Sequence, residues 1–511
     1  MFSFLLSLAT FLPLAGGLAL LLIRNGKDDS ESGASAARWT GLWVSLITLG
    51  LTLVMWAGFD PRYTGPQYEQ QLSWLGRFGI SWHTGVDGIS LVFVLLTAVL
   101  TPLAIAAAWK TIRSGVRDFV AAVLILETTL IGLFSALDLT VFYIWYEATL
   151  IPASLLIGVW GGPKRVRASL QFFLFTFGGS LFMLVAIAAI WAMTGTTDMI
   201  LLSHGSFSPA AQGWLLAAFI LAFGVKLPLF PLHAWLPDAY TEAPAAASAL
   251  LSGVLSKAGG YGLLRLGVLM FPDAARVFAP WILPLGVIAI IYAAFIALAQ
   301  TDMKRLVAYS SFSHMGMIAV GLFTLTAEGI DGAIFQMLSH GIVIAALFFS
   351  VSAIAWRAET RQISALGGVA SKMPMLGLLT MVFTMANVGL PGTGAFVGEL
   401  LILMGAVHVS LWLALLAGTT MIMGAVYMLV LYRRVLFGRV GEATAMLREL
   451  SAAELGILLP LAVITLWMGV HPGSLTRLYN PTVLSALHMN GAVTGEAASG
   501  QTVRLAAVSS H

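Results

Sequence analysis

Residues 221–265 read LAFGVKLPLFPLHAWLPDAYTEAPAAASALLSGVLSKAGGYGLLR, and their reading decides the fold. Two apolar, helix-length runs flank a proline-rich break, with Lys226 and Lys257 deep in apolar surroundings. Pro228, Pro231, Pro237 and Pro244 follow Lys226. Proline removes a backbone donor and clashes with the carbonyl four residues back, so a helix arriving here is broken. In lipid, such a break survives only where protein or a water-filled cavity satisfies the freed groups. A lysine beside it is costly unless it is used.

Composition sets the class. Of 511 residues, 59% are hydrophobic and only 10% charged, against about 25% charged in soluble domains. A spanning helix needs about 20 apolar residues, and fourteen such stretches fill the chain, at roughly 2–23, 38–57, 86–109, 117–135, 139–160, 167–193, 211–228, 244–269, 278–299, 305–325, 329–355, 374–405, 410–437 and 452–472. The first has no basic residue ahead of it and no small-residue cleavage site, so it reads as an uncleaved span. The expected fold is an all-α polytopic membrane protein with no soluble domain. The absence of cysteine excludes disulfides, thiolate-held iron–sulfur clusters and c-type haem attachment. The pI near 9.1 reflects short basic loops and is no sign of nucleic-acid binding.

Those loops also give an orientation. The loops after odd-numbered spans hold 18 of the 26 basic residues, from Arg24 and Lys27 to Arg439 and Arg448; loops after even-numbered spans hold only Arg62, Arg77 and Arg276. By the positive-inside rule both termini lie outside. The segment from Asp60 to Val86 reads as the longest loop, and from Gly473 onward the tail is too short and mixed for another span.

A second interruption, NVGLPGTGAFVGE at 387–399, lies in the middle of the twelfth apolar stretch, with Glu399 at its end. It resembles a phosphate loop only superficially, because no strand precedes it. Paired interruptions at corresponding places in two halves point to a transporter site. Spans 7 and 12 are five apart, which predicts two inverted five-helix repeats, spans 4–8 and 9–13. The expected divisions are residues 1–116 (spans 1–3), 117–269 (first repeat), 278–437 (second repeat), 452–472 (last span) and 473–511 (tail), all within one membrane domain.

The intramembrane charges are few. Glu147, in FYIWYEATLIP, has no basic neighbour in sequence, and with Lys226, Lys257 and Glu399 it is a candidate site residue. Glu127 lies about as far before the turn at Asp138 as Glu147 lies after it, so antiparallel neighbours would hold two carboxylates at one depth; a hydrogen bond to backbone is its plainer reading. Arg265 reads as snorkelling from a helix end and Asp138 as a helix cap. His314 and His340 stand about a dozen residues on either side of the turn near Glu328. They suit proton transfer, since imidazole has one donor and one acceptor nitrogen and titrates near neutrality; hydrogen-bonded core histidines, or the axial ligands of a haem in an electron-carrying cytochrome, are the alternatives. His233, just after the first break, shares the ambiguity. Burial disfavours a charged lysine and a nearby carboxylate restores it. At an effective dielectric of about 20, a carboxylate roughly 7 Å away is worth about 2.4 kcal/mol, and each proton moved against 100 mV costs about 2.3 kcal/mol. One such switch is the right size for moving protons, but the chain holds no energy source of its own.

The stretches VKLPLFPLHAWLPDAYTEAP, LLSKAGGYGLLR, AQTDMKRLVAYSSFSHMG, QMLSHGIVIAALFF and GLPGTGAFVGELLILMG resemble the antiporter-like subunits of respiratory complex I, bacterial NADH:quinone oxidoreductase. The resemblance covers essentially all fourteen spans. It implies a Glu–Lys pair at Glu147 and Lys226, a central lysine at Lys257, an exit-side acid at Glu399, and His233, His314 and His340 along a central hydrophilic axis. Sister subunits and cation/proton antiporter chains resemble one another in having lysine where this chain has Glu399. Glu127 matches no family position securely. The implied role is proton translocation in a bacterial inner membrane, alongside sister antiporter-like subunits and lipid. NADH, FMN, iron–sulfur clusters and quinone are expected in partner subunits, and no cofactor or metal in this chain. The alternative of similar fold is a subunit of a multisubunit Na⁺/H⁺ antiporter or membrane-bound hydrogenase.

Overall fold

The computed structural model describes residues 4–22, 31–203, 205 and 207–489. The loop basics Arg24 and Lys27, and the tail beyond 489, lie outside the described residues. The main helices are α1 (Phe4–Leu22), α2 (Glu31–Ala57), α3 (Gly88–Ala108), α4 (Val116–Ser135), α5 (Leu139–Gly158), α6 (Arg165–Thr194), α7 (Pro209–Lys226), α8 (Trp235–Glu242), α9 (245–268), α10 (Pro272–Leu298), α11 (Met303–Phe323), α12 (Ala327–Ala358), α13 (Pro374–Val388), α14 (Gly394–Val409), α15 (Leu411–Leu436), α16 (Ala452–Val470) and α17 (Gly473–Met489). Twelve helices among the described residues are long and apolar enough to cross a membrane. Two other stretches counted as spans are not single long α-helices. Residues 245–268 alternate α turns with π turns at Leu251–Leu255 and Leu263–Val268, and residues 374–409 are the pair α13 and α14.

Both breaks fall where the prolines and glycines put them. α7 stops at Lys226 ahead of Pro228, and α8 resumes at Trp235, whose indole donates to the Val225 carbonyl at 2.8 Å and so satisfies one group at the broken end. α13 stops at Gly389, which has φ +82°, a conformation that costs glycine little. α5 is tightened at Thr149. Pro152 has no N–H for the Ala148 carbonyl, and the Thr149 hydroxyl caps the Tyr146 carbonyl at 2.7 Å.

A matched pair of caps supports the five-helix offset. Asp138 accepts from the backbone of Thr140 and Val141 to start α5, and Asp302 accepts from Lys304 and Arg305 to start α11, five spans later in the sequence count. Each also forms an antiparallel bridge to the chain leaving the following helix: Asp138 to Asp198 after α6, Asp302 to Gln362 after α12.

The segment read as a long loop is instead a β-hairpin, Gln67–Leu75 paired antiparallel with Ile80–Val86, with Leu72 opposite Trp82 and Gln71 opposite His83. The mixed polar run QYEQQLSWL gave little alternation to read. His83 pins the hairpin: its Nδ1 lies 2.7 Å from Asp198 and its Nε2 2.7 Å from Glu69. Burial works against charge on this ring, but hydrogen bonds to the two carboxylates outweigh it and hold His83 above the usual histidine range. The first part of the tail, 473–489, forms α17, which is not among the helices long and apolar enough to cross a membrane and packs on α3 and α12.

Candidate functional site

Lys257 lies between the two π stretches of α9 and is fully buried. Its ammonium donates to the Ser252 carbonyl, to Ser256 Oγ at 3.3 Å and to His340 Nδ1 at 2.8 Å. Ammonium is a donor only, so it fixes Nδ1 of His340 as the acceptor. The His340 ring is 5.2 Å from that of His314. His314 Nδ1 in turn lies 3.2 Å from Glu399 Oε1, and the Gln336 amide nitrogen lies 3.3 Å from both. Lys257, His340, His314 and Glu399 thus form one buried polar line crossing α9, α12, α11 and α14. Nε2 of both histidines and Oε2 of Glu399 have no protein partner.

Close backbone packing makes the line possible. A Cβ built on Gly341, next to His340, would lie 2.7 Å from the Gly253 carbonyl, one turn before Lys257. At the second break a Cβ on Gly389 would lie 2.6 Å from Glu399 Oε2. Only glycine lets that carboxylate sit against the broken end of α13.

Lys226 occupies a separate cluster. Its Nζ donates to Thr149 Oγ1 at 2.9 Å and the Tyr146 carbonyl at 3.4 Å, and lies 3.6 Å above the Tyr146 ring. Glu147 is within electrostatic reach of Lys226, but no ion pair joins them among the described residues; Oε1 of Glu147 is without a partner. The lysine is held by the residues on either side of Glu147 in the tightened turn of α5. No hydrogen bond among the described residues links this cluster to the Lys257 line.

The other candidates stand apart. His233 stacks on Phe312 at 4.2 Å and 13°, its Nδ1 unpartnered. Glu127 is 1% exposed, and neither oxygen has a partner, so the expected backbone hydrogen bond is not there. Asp138 caps α5 as read. Arg265 does not snorkel; it pairs with Asp87 at 2.5 Å. The cytochrome reading also fails on geometry. The His314 and His340 rings touch, and their Nδ1 atoms are engaged by Glu399 and Lys257, which leaves no room for a macrocycle between them. Sequence reasoning missed Gln336, Thr149 and Tyr146. Gln336 was findable, since it precedes His340 by four residues and shares its helix face. No signal marked Thr149 or Tyr146.

Comparison with known proteins now bears on this arrangement. Residues 136–424, more than half of the chain, match the family model described as NADH:quinone oxidoreductase/Mrp antiporter, TM. The chain belongs to this family. Among its relatives is NADH-quinone oxidoreductase subunit M of Rhodobacter capsulatus, 45% identical over 94% of this chain and 95% of that one. NADH-ubiquinone oxidoreductase chain 4 of Arabidopsis thaliana is 43% identical over 90% of this chain and 92% of its own. A chain of respiratory complex I from Thermus thermophilus superposes with a TM-score of 0.85 at 33% identity, covering 95% of this chain and 99% of that chain. A chain of the Mrp complex from a Dietzia species superposes at 0.83, covering 96% and 99%, but at 20% identity shares the fold alone. The resemblance to the antiporter-like subunits is therefore borne out, and within them the relatives are subunit M and chain 4 proteins. All four members of the buried line fall inside the matched region.

Proposed function

We propose that this chain is the proton-translocating subunit M of a bacterial NADH:quinone oxidoreductase. The observation that carries this reading is the polar line from Lys257 through His340 and, across a 5.2 Å ring-to-ring contact, His314 to Glu399, buried in an apolar helix bundle. A buried ionisable line of this cost is expected where protons move. Lys257 gives a proton to His340, the imidazoles pass it on, and Glu399 takes it for release. Lys226 with Glu147 acts as the switch upstream, and Glu127 and His233 are accessory proton holders. Electron transfer in partner subunits, which hold the NADH, FMN, iron–sulfur and quinone sites, supplies the energy. The repeat units are 117–269 and 278–437, after spans 1–3 in 1–116 and before the span 452–472 and the tail 473–511. The Mrp-type antiporter reading shares the fold, but the relatives at 43–45% identity favour complex I.

Glu399→Gln tests the end of the line. It keeps shape but cannot ionise, so pumping stoichiometry and coupled quinone reduction should both fall. Wild-type values for both would make Glu399 structural.

The switch is tested by a double-mutant cycle. Lys226→Ala and Glu147→Ala should each slow coupled quinone reduction sharply, and the double variant no further, because both disable one step. Assembly should survive, since either group left alone can become neutral. Multiplicative losses would place the residues on separate paths.

The charge bias of the loops supports a plasma-membrane orientation with both termini outside. A reporter active only in the cytoplasm, fused after His511, should be silent; a strong signal would invert the topology.

A further inference from the structure

Lys226 is fully buried at the last residue of α7, yet it does not sit on Glu147, the carboxylate expected to hold it. An ammonium has three hydrogens to place. Two go to oxygens of α5, Thr149 Oγ1 at 2.9 Å and the Tyr146 carbonyl at 3.4 Å, and Nζ stands 3.6 Å from the centre of the Tyr146 ring. Hydroxyl, carbonyl and ring face together make a seat for a cation that contains no formal charge. The ring is fixed in place. Its hydroxyl donates to the Ala222 carbonyl at 3.3 Å, one turn before Lys226 on α7, and the rings of Phe142 and Phe223 flank it at 6.0 and 5.8 Å. The Thr149 hydroxyl is aimed too, because its own proton goes to the Tyr146 carbonyl at 2.7 Å and leaves its lone pairs to the ammonium. Aromatic faces attract cations most strongly where water is excluded, and Tyr146 and Thr149 are both fully buried.

Ordinary packing would lay a lysine stem against any nearby ring. It does not account for an ammonium fully engaged beside a carboxylate that it leaves alone. Glu147, which lies between Tyr146 and Thr149 in sequence, keeps Oε1 without a partner. We propose that Tyr146 and Thr149 form a second seat for the Lys226 ammonium, alternative to Glu147, and so are positioning residues of the switch. A buried lysine that leaves its carboxylate for apolar surroundings tends to lose its proton. The seat lets Lys226 leave Glu147 with that proton in place. The switch then changes where a charge stands, and no bond to hydrogen is made or broken in the exchange. Both positions belong to one turn of α5, so a single lysine stem serves them both. This deepens the switch reading and rests on it.

The test uses the assembled complex with phenylalanine and its mono-, di- and trifluorinated forms at position 146. Fluorine depletes the negative face of the ring while nearly keeping its shape, so each step should weaken the seat. Relative to Tyr146→Phe, coupled quinone reduction per complex should fall stepwise, by about tenfold at three fluorines, equivalent to about 1.4 kcal/mol of added barrier. Thr149→Val, which removes the hydroxyl but keeps the branched shape, should slow turnover by a similar factor, and Thr149→Ser should recover most of that loss. The same fluorine series at Phe219, which stacks on Phe223 and Phe271, is the control and should show no trend. A flat series at position 146 would overturn the seat. So would a loss that follows the amount of complex on native gels and not turnover per complex, because Tyr146 would then serve packing alone. Lys226→Ala separates the two claims. Normal turnover in that variant sinks the underlying switch, whereas slow turnover beside a flat fluorine series sinks only the seat. If both claims hold, trifluorination on top of Lys226→Ala should add no further loss.

Discussion

Lys257→Met should reduce coupled quinone reduction by about 100-fold or more, the scale on which a positioned proton-transfer group contributes. Methionine fills nearly the same unbranched volume, so packing around α9 is kept while the charge and the donor vanish. His340 then loses its 2.8 Å partner, and the buried line loses its first member. NADH oxidation by an artificial acceptor should be unchanged, because the proposed function assigns electron transfer to partner subunits. Lys257→Arg should recover little, since a planar guanidinium fork cannot meet the Ser252 carbonyl, Ser256 Oγ and His340 Nδ1 in the geometry of one ammonium. Turnover and stoichiometry at wild-type levels in Lys257→Met would remove the centre of the proposed mechanism.

The second large effect is on assembly. Gly341→Val should sharply lower the amount of intact complex in the membrane. Its Cβ would lie 2.7 Å from the Gly253 carbonyl and 2.9 Å from Leu96 Cδ2, so a backbone atom must give way, not merely a flexible side-chain tip. Small residues let membrane helices approach this closely, and overpacking costs about 1–3 kcal/mol or more. Any complex that forms should also turn over slowly, because parting α9 from α12 lengthens the Lys257–His340 contact. Gly178→Ala is the control, since nothing lies within 4 Å of its added Cβ. Native gels and immunoblots read the outcome, and equal complex levels in Gly341→Val and the control would mean the crossing has slack.

The fold was legible because lipid allows so few alternatives. Pro228 and Gly389 announced both breaks, and those breaks gave the five-helix offset that the Asp138 and Asp302 caps now support. Of the site, the ionisable residues were legible by their cost in an apolar span. Their connections were not. Which histidine meets Lys257 and which meets Glu399 depends on how four helices cross. Lys226 proved to rest on Thr149 and the Tyr146 ring, partners whose residue types carry no charge to betray them. The hairpin at 67–86 was missed because its first strand lacks a clean period of two, and its anchors, Asp198 and Glu69, are distant or polar in sequence.

The π turns at Leu251–Leu255 and Leu263–Val268 bear on how this chain can change length. A π turn holds an extra residue relative to an α turn, and each residue of an α-helix advances the azimuth by about 100°. Losing a single residue from Leu251–Leu255 would let that stretch relax to ordinary α geometry without breaking the span. The α turns on either side, Ala245–Leu250 and Ser256–Gly262, would then keep nearly their present register, whereas a regular α-helix that loses one residue turns by about 100°. Hydropathy would barely register the deletion, and the helix would still cross the bilayer. In α9 a one-residue deletion within a π turn is therefore expected to be absorbed without re-aiming Lys257 at a new face, where the same deletion in a regular α-helix would break the coupling.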